Sequence, residues 1–293
     1  MIVSLKGILT DAYKNQYAVG AFNCLSLENV QGAIRAAEES RSPIILQLAE
    51  VQFPYSPIEL MAPIFLEAAR KASVPVAVHL DHGQSFETCA TAIRLGFGSV
   101  MYDGTSLPVR ENMKITREVV RMAKAFGVNV EAELGKVGNT GEGEGEGKGE
   151  GEGEGEGKGA ADVFTDVEES AMFIKETGID ALAIAIGNLH GKYVATPRLN
   201  ITRLQEINRK NRLPLVLHGG TGTSEEDFKS CIHNGISKIN VATAIQISIT
   251  EKIREYLQSA GKPNYIDMKY KMVEASKEAV MFHINLFESN NRI

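Results

Sequence analysis

The chain has 293 residues, 43% of them hydrophobic, which is ample for a core, yet no apolar run approaches the roughly 20 residues a membrane helix needs. Its 31 basic and 37 acidic residues give a net charge of −6, of which segment 141–159 supplies −5, so the remainder lacks the basic excess of a nucleic-acid binder. The cysteines Cys24, Cys89 and Cys231 are too few and too scattered for a disulfide framework or a cysteine zinc site; with no signal-type apolar stretch near Met1, they point to a reducing cytoplasm.

In chain order, short β-branched runs alternate with segments of helical period. The first predicted strand, 18–22, ends at Asn23, and Leu27, Val30, Ile34 and Ala37 then recur at helical spacing. Strands 44–48 and 76–80 are entered through Pro43 and Pro75, and the second of these closes on Asp81 and His82. Strand 99–102 closes on Asp103; Val119, Met122 and Phe126 follow at helical spacing, and strand 128–133 ends at Glu133. Segment 141–159 holds ten glycines in nineteen residues and no apolar side chain, so burial cannot repay its ordering entropy. It is predicted to be a disordered loop inserted in a single domain, 1–293, because globular pattern resumes after it. Strand 181–186 leads to His190, strand 215–217 follows Pro214 and closes on His218, and strand 238–241 contains Asn240. Between the last two, Ser224 with Glu225, Glu226 and Asp227 resembles a helix N-cap. Beyond 264, Met272, Ala275, Ala279 and Ile284 predict a helical extension that packs on the body or serves an oligomer contact.

Eight such units favour an α/β class fold closed as a (β/α)8 TIM barrel with a C-terminal helical extension; a doubly wound sheet would more often use fewer strands and a glycine-rich first turn, which AFNCLSLEN lacks. Polar or metal-capable residues sit at seven of the eight strand ends, on the face where barrels build active sites. His82, His190 and His218 each precede a glycine, which leaves room for a ligand beside an ion held by three imidazoles with a fourth position open. A catalytic Zn2+ is the expected occupant. Asp81 either orients a histidine or moves a proton, and Asp103 and Glu133 either offer a second cation position or form surface ion pairs. His79, out of step with its apolar neighbours, is expected to be packed or to support a ligand, and His233 and His283 to lie on helix surfaces. Gly219, Gly220 and Thr221, and then Asn240, Val241, Ala242 and Thr243, follow the last two strands, where barrels commonly hold phosphate. A phosphorylated substrate is therefore expected.

Together AVGAFN, HLDHG, SVMYDG, VEAELG, AIAIGNLHG, LVLHGGTG and KINVAT resemble the class II, metal-dependent ketose-bisphosphate aldolases over about residues 1–250. The resemblance implies zinc on His82, His190 and His218, and Asp81 as the acid/base at the aldehyde oxygen. It implies reversible cleavage of fructose 1,6-bisphosphate, with tagatose 1,6-bisphosphate as the rival, into dihydroxyacetone phosphate and glyceraldehyde 3-phosphate by zinc-stabilised enediolate chemistry. Asp103 and Glu133 match alternative metal positions of the family. Gly191, Gly219 to Thr221 and Asn240 to Thr243 match its ketone-phosphate contacts and the neighbourhood of a monovalent cation, Na+ or K+, and Asn23 matches a substrate contact. Relatives are homodimers or homotetramers. The sequence departs from the family where a mobile acidic loop after the fifth strand is replaced by the Gly/Glu tract, and where Thr221 stands at a position commonly serine. A zinc hydrolase and a non-catalytic sugar-phosphate-binding barrel share the histidines or the turns and are the competing readings.

Overall fold

The computed structural model describes residues 1–135, 138–139, 164–190 and 198–293, with backbone alone at 138–139 and 190. The Gly/Glu tract and Gly191 lie outside these, as does the side chain of His190.

The barrel strands are β1 (Val19–Asn23), β2 (Ile44–Ala49), β3 (Val76–Gly83), β4 (Ser99–Tyr102), β5 (Asn129–Leu134), β6 (Ala181–Ile184), β7 (Leu215–Leu217) and β8 (Ile236–Val241). They pair in parallel in the order β1, β2 and so on to β8, which closes on β1 through Val19 against Lys238 and Ala21 against Asn240. This is the expected (β/α)8 barrel. Most strand ends fall within one or two residues of the sequence expectation; β3 instead runs on to Gly83, because Asp81 pairs with Ala49 and Gly83 with Tyr102. The prolines before the strands still serve the ladder as acceptors: Ile44 N donates to Pro75 O and Leu182 N to Pro214 O.

Between and after the strands run α2 (Leu27–Ser40), α3 (Ile58–Lys71), α4 (Phe86–Arg94), α5 (Val109–Ala125), α6 (Val167–Thr177), α7 (Ile201–Asn211), α8 (Glu225–His233), α9 (Thr243–Ser259) and α10 (Tyr265–Leu286). Ser224 caps α8 as predicted, its side chain accepting from Asp227 N. The C-terminal helix α10 packs against α2 and α9. At the α2 crossing a Cβ on Gly32 would lie 2.6 Å from that of Ser276, so only glycine permits this approach.

A further helix, α1 (Leu5–Asn15), precedes β1 and has no counterpart among the sequence expectations. Its Leu5, Ile8, Leu9 and Ala12 repeat at helical spacing and form a second core with Val19, Ala21, Ile45, Ala77, Ala181, Ala183 and Val216. These strand residues alternate with the ones that face the outer helices, so they line the lumen, and α1 plugs its lower end. The remaining opening is the carboxyl end of the strands.

Candidate functional site at the barrel mouth

Residues of one parity on each strand face the lumen, which places Asn23, Asp81, Glu133 and Asn240 in one tier at the mouth. His82 follows Asp81 and strict alternation would turn it outward, yet it joins the same site. Its backbone adopts φ 42, at an irregularity of the β3–β4 register between Leu80 and Gly83. A non-glycine residue in this left-handed region costs about 1–3 kcal/mol, a strain tolerated where function needs the side chain re-aimed. Gly83 completes the turn because a Cβ there would lie 2.8 Å from Met101 O. Gly83→Ala is expected to lower unfolding free energy by roughly 1–3 kcal/mol through this clash, and to weaken metal binding, as denaturant titration and a chelator competition would register.

The polar groups are closely interlocked. Asp81 accepts from Asn23 Nδ2 at 3.0 Å and from Asn240 Nδ2 at 2.9 Å, one amide on each carboxylate oxygen. Asn23 is itself held by Gln47, whose Nε2 lies 2.8 Å from its Oδ1. His82 Nδ1 is 2.8 Å from Asp103 Oδ2, and Thr105 donates to the other Asp103 oxygen through its N–H and its hydroxyl. His218 Nδ1 lies 3.4 Å from Glu133 Oε2, and the rings of His82 and His218 meet edge to face with centroids 4.6 Å apart. Asn188 ties the sixth unit to this cluster, donating from Nδ2 to His218 O at 2.8 Å. Leu189–His190 pairs in parallel with Gly138–Asn139, outside the barrel sheet.

The charges are mutually dependent. Burial works against an ionised Asp81, but His82, Lys238 and His218 outweigh it and hold the carboxyl down at about 2. Burial likewise opposes a charged His82, yet Asp81, Asp103 and Glu133 push the imidazole up to about 10. His218 is also raised, burial being overcome by Glu131 and Glu133. His79 is pulled down to about 3, chiefly by burial. The mouth thus favours positive charge among its carboxylates.

Ligand-type atoms of Asp81, His82 and His218 lie within 4.8 Å of one another, as do those of His82, Asp103 and Glu133. Imidazole nitrogen with carboxylate oxygen is a donor set suited to a borderline divalent cation such as zinc. The residues present therefore fit a metal.

The turn expected to receive phosphate is shaped by glycine. Gly219 and Gly222 have φ 61 and φ 105, and a Cβ on Gly220 would lie 2.9 Å from the Phe228 ring. Thr221 follows in the same turn. The two neighbouring helix starts differ: α8 is capped by its own Ser224 and opens with Glu225, Glu226 and Asp227, whereas α9 has no side-chain cap and no acidic residue in its first turn. An anion is therefore better received at Ala242 and Thr243, where first-turn amides lack intrahelical partners. Val241 is buried in the outer core, so only its backbone faces that position. An apolar groove of about 820 Å³ between α2 and α3 shares no residue with the mouth.

His233 is exposed beside Glu288, as expected. His283 departs from the surface placement: it is half-buried, with Nδ1 2.7 Å from Ala279 O and its ring between those of Phe282 and Phe287. That follows from α10 packing this face inward.

A closed parallel barrel with imidazoles, carboxylates and glycine-rich turns gathered at its mouth has the layout of a (β/α)8 barrel enzyme. The family model described as class II fructose-bisphosphate aldolase matches residues 3–292. The chain is 41% identical over 283 residues to the fructose-bisphosphate aldolase of Geobacillus stearothermophilus, covering 95% of this chain and 93% of that one. It is 39% identical over 298 residues to that of Staphylococcus epidermidis, covering 99% of each. The crystal structure of the YdjI aldolase from Escherichia coli K12 superposes with a TM-score of 0.87 at 31% identity, covering 100% of this chain and 99% of that one. The chain belongs to the class II fructose-bisphosphate aldolase family.

Proposed function

We propose that this protein reversibly cleaves fructose 1,6-bisphosphate into dihydroxyacetone phosphate and glyceraldehyde 3-phosphate, with Zn2+ held by His82, His190 and His218. The observation that supports it most is the Asp81 carboxylate, fixed by Asn23 and Asn240 beside His82 at the mouth of the barrel. Bound zinc supplies Lewis-acid polarisation of the ketone oxygen and stabilises the charge that develops when the carbon–carbon bond breaks.

The protein's own residues do the rest. Cleavage turns a hydroxyl into an aldehyde, so its proton must leave; Asp81, ionised and oriented, accepts it, and returns it in the condensation direction. Asn23 and Asn240 keep both carboxylate oxygens in place, which limits the reorganisation needed at that moment. Asp103 orients His82 through Nδ1. Gly219, Gly220 and Thr221 with the start of α9 receive the ketone phosphate, joined by Gly191, and Na+ or K+ near these turns accompanies the same reading. Asp103 and Glu133 offer the cation an alternative seat beside His82. The reading carries with it a homodimer or homotetramer in the cytoplasm.

The test is triose release after chelation and after zinc return. Chelator-treated protein is expected to lose cleavage of fructose 1,6-bisphosphate and recover it with Zn2+. Cleavage that survives complete metal removal overturns the proposal, and parallel assays with tagatose 1,6-bisphosphate decide the sugar.

A further inference from the structure

One strand repeat below the mouth, the lumen contains a second polar tier that the proposed reaction does not touch. His79 lies two residues before Asp81, Glu131 two before Glu133, and Lys238 two before Asn240, so each shares the inward face of its strand. All three are fully buried. Lys238 Nζ is 2.9 Å from Glu131 Oε2 and 3.1 Å from Oε1. His218 Nε2 reaches Oε1 at 3.0 Å, and His79 Nε2 stands 3.5 Å from Oε2.

A sealed Lys–Glu pair contributes little to folding as such, because desolvation of the two charges offsets their attraction and an apolar pair of similar volume does as well. Its contact with His218 gives it another purpose. We propose that Glu131, paired with Lys238, is a positioning residue that holds His218 with its hydrogen on Nε2 and so presents the Nδ1 lone pair to the metal. This rests on the metal reading above.

Donors and acceptors decide the tautomer. An ionised carboxylate only accepts, so a neutral imidazole facing it carries N–H on Nε2 and its lone pair on Nδ1. Both ring nitrogens face a carboxylate, but Nε2 makes the closer contact, 3.0 Å to Glu131 against 3.4 Å from Nδ1 to Glu133, so the proton belongs on Nε2 and Nδ1, in the ring that packs on His82, is left for the metal. The ammonium of Lys238 only donates, and its Nζ reaches both oxygens of Glu131, at 2.9 and 3.1 Å, so the enclosed carboxylate is paired and acts on Nε2 as an acceptor. His79, with Nδ1 2.9 Å from Ser99 Oγ, fills the other flank of the carboxylate.

The test uses the double variant Glu131→Leu/Lys238→Met, which removes both charges and strands neither. It is expected to fold with the circular dichroism of the wild type and to bind Zn2+ about 10–100-fold more weakly in a chelator competition, the loss usual when a ligand histidine loses its orienting carboxylate. In the metal-free protein, at a pH high enough to discharge the raised His218 imidazole, 15N NMR is expected to show the ring as the Nε2–H tautomer in the wild type and a mixture in the variant. Wild-type zinc affinity in the folded double variant overturns the inference. So does a double variant that fails to fold, since the pair would then hold the barrel together. A wild-type chain that binds no zinc overturns this inference together with the reading beneath it, and is told apart by the wild-type titration alone.

Discussion

Asp81→Asn is expected to lower kcat for cleavage of fructose 1,6-bisphosphate by about 10²–10⁴-fold, the range typical for removing a general acid/base, while zinc content stays at the wild-type level. The substitution keeps the shape of the side chain and removes only its capacity to take a proton. Two amides donate to the carboxylate, from Asn23 and Asn240. An asparagine at 81 offers one acceptor oxygen and one NH2, so one neighbouring amide must rotate to present its oxygen instead, a small adjustment within an otherwise intact site. A fall of this size corresponds to roughly 3–5 kcal/mol in activation free energy. KM is expected to change much less than kcat, because the role proposed for Asp81 is at the reacting hydroxyl rather than at the phosphates. Unchanged turnover, or metal loss with unfolding, would show that Asp81 is a structural residue.

The residues that close the strands are legible in the sequence because a polar group at the end of an apolar β-branched run is costly to bury unless a site makes use of it. Asn23, Asp81, His82, Asp103, Glu133, His218 and Asn240 all sit at the mouth. The second tier is harder to see. In VEAEL and KINV, Glu131 and Lys238 look like the solvent-facing positions of half-buried strands, and only closure of the barrel turns that face inward as well. His79 does stand out as packed, because histidine between valine and leucine is unusual in a strand. Asn188 and Gln47 carry no such signal: each acts by orienting a neighbour's backbone or amide, which depends on three-dimensional placement alone. The helix α1 leaves a clear apolar period, Leu5, Ile8, Leu9 and Ala12, whose meaning lies in the lumen it plugs. The left-handed turn at His82 is invisible to composition, since φ above zero is ordinarily a glycine property and Gly83 stands beside it.

His82→Ala separates the competing readings of the barrel. His82 is common to both groups of ligand atoms at the mouth, one with Asp81 and His218 and the other with Asp103 and Glu133. Its loss therefore damages every seat the cation has among the described residues, and leaves carboxylates facing one another without the imidazole between them. Zinc content is expected to fall to near zero in dialysed protein. Cleavage should drop by roughly 10³-fold or more, since a Lewis acid contributes several kcal/mol to the barrier. The fold should survive, because the removed ring belongs to the mouth and the apolar cores below and outside it are untouched. Exposed His233, replaced in the same way, is the control and should change neither metal content nor turnover. If His82→Ala kept full affinity for dihydroxyacetone phosphate in calorimetry, and the wild type released no triose, the barrel would be a sugar-phosphate binder without metal chemistry. If instead the wild type released inorganic phosphate in a zinc-dependent manner, the nucleophile would be metal-activated water and the enzyme a hydrolase. Zinc-dependent triose release, abolished by His82→Ala with no phosphate liberated, leaves the aldolase.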